Sequence, residues 1–258
     1  MRVIITRPQR DAESWVRDLR AAGYDALALP LIDIAPAADM QPLQAAWRGL
    51  SAYAGVMFVS GHAVDGFFAA RPADAPAFGA PTRAWATGPG TRAALLRAGV
   101  ADAHVDAPEQ GQFDSEALWG VMQARVRAGS RVLIVRGADS RVITQAQGLG
   151  RDWFAQQVQA AGGSVDFVVA YQRRAPQWDA EQTLRAHAAA TDGSVWLFSS
   201  SEALANLRAM EQRQDWSQAR AIATHPRIAQ AAHQTGFGTV IESRPALADI
   251  RASLESLR

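Results

Sequence analysis

Two stretches of this chain repeat the same pair of strand–turn–helix motifs in the same order, and that repetition limits the fold more than any other feature. Phe58-Val59-Ser60-Gly61-His62-Ala63-Val64 matches Phe198-Ser199-Ser200-Ser201-Glu202-Ala203-Leu204. Ala86-Thr87-Gly88-Pro89-Gly90-Thr91 matches Ala223-Thr224-His225-Pro226-Arg227-Ile228, and both run into Ala-rich helical patterns ending at Gly99 or Gly236. Upstream, Val3–Arg7 pairs with Val132–Arg136, and Leu19–Gly23 with Val158–Gly162. The offsets run from 129 (Val132 against Val3) to 140 (Phe198 against Phe58), and the jump falls between Arg136 and Val158, where Ala138–Gly150 reads as a polar insertion. Two similar lobes follow.

Short apolar runs at Val3–Thr6, Val56–Ser60, Arg83–Ala86, Arg131–Val135, Val165–Ala170, Val195–Phe198 and Ala219–Ala223 read as strands of a few residues, buried on both faces. Helical patterns lie between them, as at Asp11–Ala22, where Trp15, Val16 and Leu19 form one stripe and Gly23 gives the stop. The alternation predicts an α/β fold with two parallel-sheet lobes. Each repeated motif is a strand entering a small, hydroxyl- or glycine-rich turn before a helix. Such turns sit at the carboxyl ends of strands, where α/β sheets bind ligands and where unpaired N–H groups attract anions. Taken singly, Ser60, Thr87, Ser200 or Thr224 reads equally well as a helix cap. Together the four turns predict an anion-binding cleft between the lobes.

Composition narrows the chemistry. The chain lacks cysteine, so thiolate catalysis, disulfides and Cys-ligated metals are excluded. All 26 basic residues are Arg, which excludes a Schiff-base lysine and a lysine-bearing P-loop. A net charge of +1 argues against a nucleic-acid partner. No apolar run is long enough for a membrane span or a secretory signal, which predicts a cytoplasmic protein. His62, His104, His187, His225 and His233 have no metal-ligand spacing, so no metal site is expected. His62 and His225 lie in the repeat turns, where surface or capping roles outweigh substrate contact.

At these turns the chain resembles the uroporphyrinogen-III synthase family over nearly its whole length. The carriers are Ile5-Thr6-Arg7-Pro8, Phe58-Val59-Ser60 with Ala63-Val64, and Ala86–Thr91 in the first half. In the second they are Leu133–Gly137, Arg151-Asp152-Trp153-Phe154, Val169-Ala170-Tyr171, Phe198–Glu202 and Ala223–Ile228. No single motif is diagnostic; their order and spacing are. The resemblance implies interleaved domains, residues 1–36 joining 173–258 and residues 40–170 forming the other, linked by two strands, where the repeat alone implies a plain tandem. Ala138–Gly150 departs from the family pattern and reads as a tolerated surface loop ahead of a mobile flap.

The resemblance also implies a reaction: cyclisation of hydroxymethylbilane, a linear tetrapyrrole bearing eight carboxylates, with loss of water and inversion of ring D. The pyrrole nitrogens drive that chemistry, so neither a cofactor nor a catalytic triad is expected. The enzyme would be a lyase acting as a monomer, with room for a transient contact with the preceding pathway enzyme. Tyr171 matches a family tyrosine and is the candidate general acid, against a plain packing role. The candidate substrate contacts are Thr6, Ser60, Thr87, Gly88, Gly90, Ser199, Ser200, Ser201 and Thr224 from the turns, with Arg7, Arg136 and Arg227 for carboxylate pairing. Arg173-Arg174 reads as a solvated linker pair, and Trp15, Trp119 and Trp153 as core. The rival is a two-lobed sensor that binds an anionic small molecule without catalysis. A nucleotide enzyme fails for want of a G-x-G-x-x-G fingerprint.

Overall fold

The computed structural model describes residues 1–79, 81–109, 114–139 and 151–257. The chain opens with β1 (Arg2–Ile5), α1 (Gln9–Ala21) and β2 (Asp25–Ala28). It continues through β3 (Asp33–Pro36), α2 (Gln41–Arg48), β4 (Gly55–Phe58), α3 (Gly61–Ala69), β5 (Arg83–Ala86), α4 (Pro89–Arg97), β6 (Val105–Asp106), α5 (Ser115–Met122), β7 (Arg131–Asp139), α6 (Arg151–Ala160) and β8 (Ser164–Arg174). It closes with α7 (Ala180–Ala189), β9 (Val195–Phe198), α8 (Ser201–Met210), β10 (Arg220–Ala223), α9 (Pro226–Thr235), β11 (Thr239–Glu242) and α10 (Leu247–Glu255). Two compact units result, Met1–Asp33 with Arg174–Arg258, and Ile34–Arg173.

The first unit holds a five-stranded sheet in the order β11-β10-β9-β1-β2, and every neighbouring pair is parallel. The second holds a six-stranded sheet, β3-β8-β7-β4-β5-β6, parallel from β8 through β6. Leaving β3 aside, the two orders coincide when β1, β2, β9, β10 and β11 are laid on β7, β8, β4, β5 and β6. That is the correspondence of the sequence repeat: Val3 with Val132, Phe58 with Phe198, Ala86 with Ala223. In each sheet chain order reverses at one point, β1/β9 in the first and β7/β4 in the second.

Both faces of the central strands are covered, so their side chains alternate between two apolar clusters. Val56 and Phe58 of β4, with Leu133 and Val135 of β7, join one cluster with Phe67 of α3 and Leu95 of α4. Met57, Val132 and Ile134 point the other way, onto Leu118, Met122 and Phe154. In the first unit Val3, Ile5, Val195, Leu197 and Ile222 pack with Leu19 of α1 and Leu254 of α10. Trp196 and Trp216 meet edge to face at 5.3 Å, with Phe198 and Phe237 packed around them. Each large side chain fully buried here is worth about 1.5–3 kcal/mol of transfer free energy.

Some expectations need correction. β7 and β8 are 9 and 11 residues long, not short, and the first half of β8 is not buried on both faces, with Phe167 40% exposed. Arg173 and Arg174 form the end of β8, where the chain passes from one unit to the other, and exposed Arg174 bonds through Nε to Asp33 Oδ2 at 2.6 Å. Residues 34–36 lie in the six-stranded sheet and not with residues 1–33. β2, β3 and β6 carry weak sequence signals: two residues in β6, a proline in β3, and mostly Asp and Ala in β2; β11, Thr-Val-Ile-Glu, carries a strand signal that the expected set left out. Of the insertion, Ala138 and Asp139 complete β7, and residues 140–150 lie outside the described residues.

Candidate functional site

In the second unit the carboxyl ends of β4, β7 and β8 lie side by side at the order reversal, the place where open α/β sheets bind ligands. Ser60 follows β4 and caps α3, its Oγ accepting the Ala63 amide at 3.2 Å. Tyr171 reaches the same spot from β8. It is 5% exposed, and its hydroxyl lies 3.2 Å from Ser60 Oγ. The His62 ring sits 5.7 Å from the Tyr171 ring. Arg136, next after the apolar run Val132–Val135 of β7, stacks its guanidinium 4.7 Å over the Phe167 ring.

Neighbouring β5 leads into a different kind of helix start. Thr87 Oγ1 donates to Val59 O at 3.4 Å, tying the β5 end to the β4 end, and is not the cap. Gly88 is the cap residue of α4 and contributes no side-chain acceptor. Its backbone is extended (φ −177°), so the left-handed conformation that would demand glycine is not used. Around Gly90, in the first turn, the space where a Cβ would sit is open.

The first unit repeats the plan. Thr6 follows β1 and is 1% exposed, its hydroxyl donating to Leu197 O at 2.7 Å across the β1/β9 reversal. This hydroxyl is therefore occupied inside the sheet. Arg7 lies next, its guanidinium 5.0 Å from the Trp15 ring centroid. Its Nε is buried with no hydrogen-bond partner among the described residues, and burial lowers its pKa from the usual arginine value against the opposing pull of Asp11. Ser199 and Ser201 are half-buried on either side of Ser200, which caps α8 by accepting the Glu202 amide at 3.1 Å. The Thr224 amide donates to Phe198 O, so Thr224 belongs to the sheet end and His225 takes the cap, its Nδ1 accepting from the Arg227 amide at 3.1 Å. Arg227 is exposed in the first turn of α9.

The candidate residues thus fall into two groups, one per unit. Ser60, Thr87, Gly88, Gly90, Arg136 and Tyr171 lie at the carboxyl end of the six-stranded sheet; Thr6, Arg7, Ser199, Ser200, Ser201, Thr224 and Arg227 lie at that of the five-stranded sheet. Reading by motif missed Gly66. A Cβ there would lie 2.2 Å from Ala170 O, so its absence lets α3 settle against β8 beside Tyr171. A lone glycine inside a helical pattern is the available signal for such an approach.

The family model for uroporphyrinogen-III synthase (HemD) matches residues 13–251, most of the chain. The chain belongs to the uroporphyrinogen-III synthase family. A uroporphyrinogen-III synthase from Salmonella typhimurium is 29% identical over 243 residues, covering 92% of each chain. Two solved structures share the fold: the uroporphyrinogen-III synthetase of Helicobacter pylori, at TM-score 0.58 and 15% identity over the whole of both chains, and a mutant uroporphyrinogen-III synthase of Thermus thermophilus, at 0.55 and 16% over 100% of this chain and 98% of that one. Membership makes the chain a cyclising lyase of haem biosynthesis, and the sensor reading is not favoured. No helix among the described residues is long and apolar enough to cross a membrane.

Proposed function

We propose that Tyr171 is the acid of this synthase, donating its phenolic proton to the terminal hydroxyl of hydroxymethylbilane as that hydroxyl leaves. The observation that carries this role is the placement of the phenol: a buried ring at the carboxyl end of β8, its hydroxyl bonded only to Ser60 among the described residues. A phenol carries one O–H donor and can give that proton to a departing oxygen. The C–O bond breaks, water leaves, and the electron pair of the terminal pyrrole nitrogen stabilises the cation on the neighbouring carbon. Ring D attacks that cation through its substituted carbon, and the spiro product rearranges with ring D inverted. Loss of the α-carbon proton restores aromaticity, and that proton balances the one the phenol lent.

The protein's remaining task is to hold one conformation of a flexible polyanion. The carboxylates are proposed to seat at the helix starts beginning with Gly61, Pro89, Ser201 and Pro226. Their first-turn amides lack intrahelical partners and carry the positive end of the helix dipole. Three of these starts already spend a side-chain acceptor on the first turn, from Ser60, Ser200 and His225; α4 does not, which favours its Gly90 and Thr91 amides. Arg136 and Arg227 supply charge, while Arg7, stacked on Trp15, supplies a weakly hydrated guanidinium. Thr6 contributes by fixing β1 to β9. The proposed setting is a cytoplasmic monomer that works without cofactor, with a transient contact to the enzyme that forms its substrate.

The test is to generate hydroxymethylbilane enzymatically and measure the isomer ratio of the cyclised product. The inverted isomer should dominate. A product distribution equal to that of the unaided reaction, with the substrate still bound, would return the chain to the sensor reading.

A further inference from the structure

Tyr171 is held where it is by missing side chains on two sides. A Cβ on Gly137, its register partner on β7, would come within 2.4 Å of the Tyr171 ring; one on Gly66 would strike the Ala170 carbonyl. A register shift between Arg136 and Gly137 sets β8 one residue ahead, so that Val168, Ala170 and Tyr171 all enter one apolar cluster. The ring is therefore fixed, and among the described residues its hydroxyl is bonded to Ser60 Oγ at 3.2 Å.

A serine hydroxyl gives one proton and accepts at two positions. The Ala63 amide fills one accepting position of Ser60. Among the described residues the Tyr171 oxygen is the acceptor within reach of the Ser60 proton. We propose that Ser60 is a positioning residue for the acid: it donates to the Tyr171 oxygen and leaves the phenol's own proton pointing out to the departing hydroxyl. The proposal rests on the reading of Tyr171 as the acid. In the reverse arrangement the phenol proton is committed to Ser60 and must first be released. The Ala63 amide polarises Ser60 in the favourable sense, since an oxygen that accepts becomes a better donor. As Tyr171 gives up its proton its oxygen gains negative charge, so the Ser60 bond strengthens in the transition state more than in the resting site.

Three substitutions separate the tasks of Ser60. Alanine neither caps nor donates; ionised aspartate caps α3 but has no proton to give; threonine does both. Steady-state turnover on enzymatically generated hydroxymethylbilane, with product affinity measured alongside, should show kcat lower by about five- to tenfold in Ser60→Ala and Ser60→Asp, the weight of one hydrogen bond. Product affinity should hold within about twofold, because the backbone donors of α3 remain. Ser60→Thr should restore kcat, and Ser60→Ala should cost nothing further on top of Tyr171→Phe. Full kcat in both Ser60→Ala and Ser60→Asp overturns the proposal while leaving Tyr171 as the acid. So do losses that multiply in the double variant, or a loss confined to product affinity. Full kcat in Tyr171→Phe alone removes the acid assignment and this proposal with it.

Discussion

Tyr53 carries a pH dependence that can be read from its surroundings. Its phenol donates to Asp166 at 3.0 Å, and Arg131 holds the same carboxylate at 2.7 Å. Burial, then the bond to Asp166, raises the Tyr53 pKa, with Arg131 opposing. A folded-state pKa above the unfolded value gives stability that is whole below about pH 10 and is lost as pH rises through the folded value. Urea unfolding at pH 8 and pH 11 should therefore show a smaller alkaline loss in Tyr53→Phe than in the parent chain; equal losses would refute the assignment. For Tyr171→Phe the expected result is kcat lower by about 10²-fold, the low end of general-acid effects, since water substitutes in part. Tyr171 stood out in the sequence through the family resemblance of Val169-Ala170-Tyr171, although β8 itself runs on to Arg174. Its contacts did not. The bond to Ser60 spans 111 residues and depends on the empty positions at Gly66 and Gly137, which periodicity does not register.

At the level of elements, β5 and β9 end where the apolar run ends, because both faces are covered and hydrophobicity alone sets their length. β7 and β8 outrun their apolar stretches, since each provides the other with backbone partners through Asp139 and Arg173. Pairing, not side-chain burial, fixes those ends. The helix starts give a graded expectation for product affinity. Ser200→Ala removes a cap but leaves the amides, so binding should weaken by no more than about fivefold, in line with ~0.3–1 kcal/mol for an exposed helix end. Titration at fixed ionic strength checks this. Should Arg7→Ala, Arg136→Ala and Arg227→Ala each cost far more than Ser200→Ala, arginine pairing and not the helix termini holds the carboxylates. Gly88→Val tests backbone need less sharply than the glycine implies, because its extended φ is open to valine. Gly66→Ala is the more damaging change: a methyl 2.2 Å from the Ala170 oxygen must displace α3, with an expected loss of about 1–3 kcal/mol by denaturant melting.

Over the whole molecule, the repeat predicted two like sheets, and their strand orders coincide. What repetition could not reveal is which segment completes which sheet, because β1 and β7 read alike and only pairing distinguishes them. β1 lies between β9 and β2, so residues 174–258 lack an interior strand when residues 1–33 are absent. A fragment spanning residues 34–173 contains every strand of its sheet and is expected to melt cooperatively, whereas residues 174–258 alone should not. Calorimetry of the two fragments decides this, and cooperative melting of the second would overturn it. The same placement sets a schedule during synthesis. Val3 pairs with Val195, 192 residues downstream (195 − 3). At about 5–20 residues per second, the first strand waits on the order of 10–40 s for its partner while the whole of residues 34–173 is made and folds. For that interval Val3, Ile4 and Ile5 have an unpaired edge and no opposite core, so the nascent chain's exposure to holdase chaperones and to aggregation is concentrated in its first few residues.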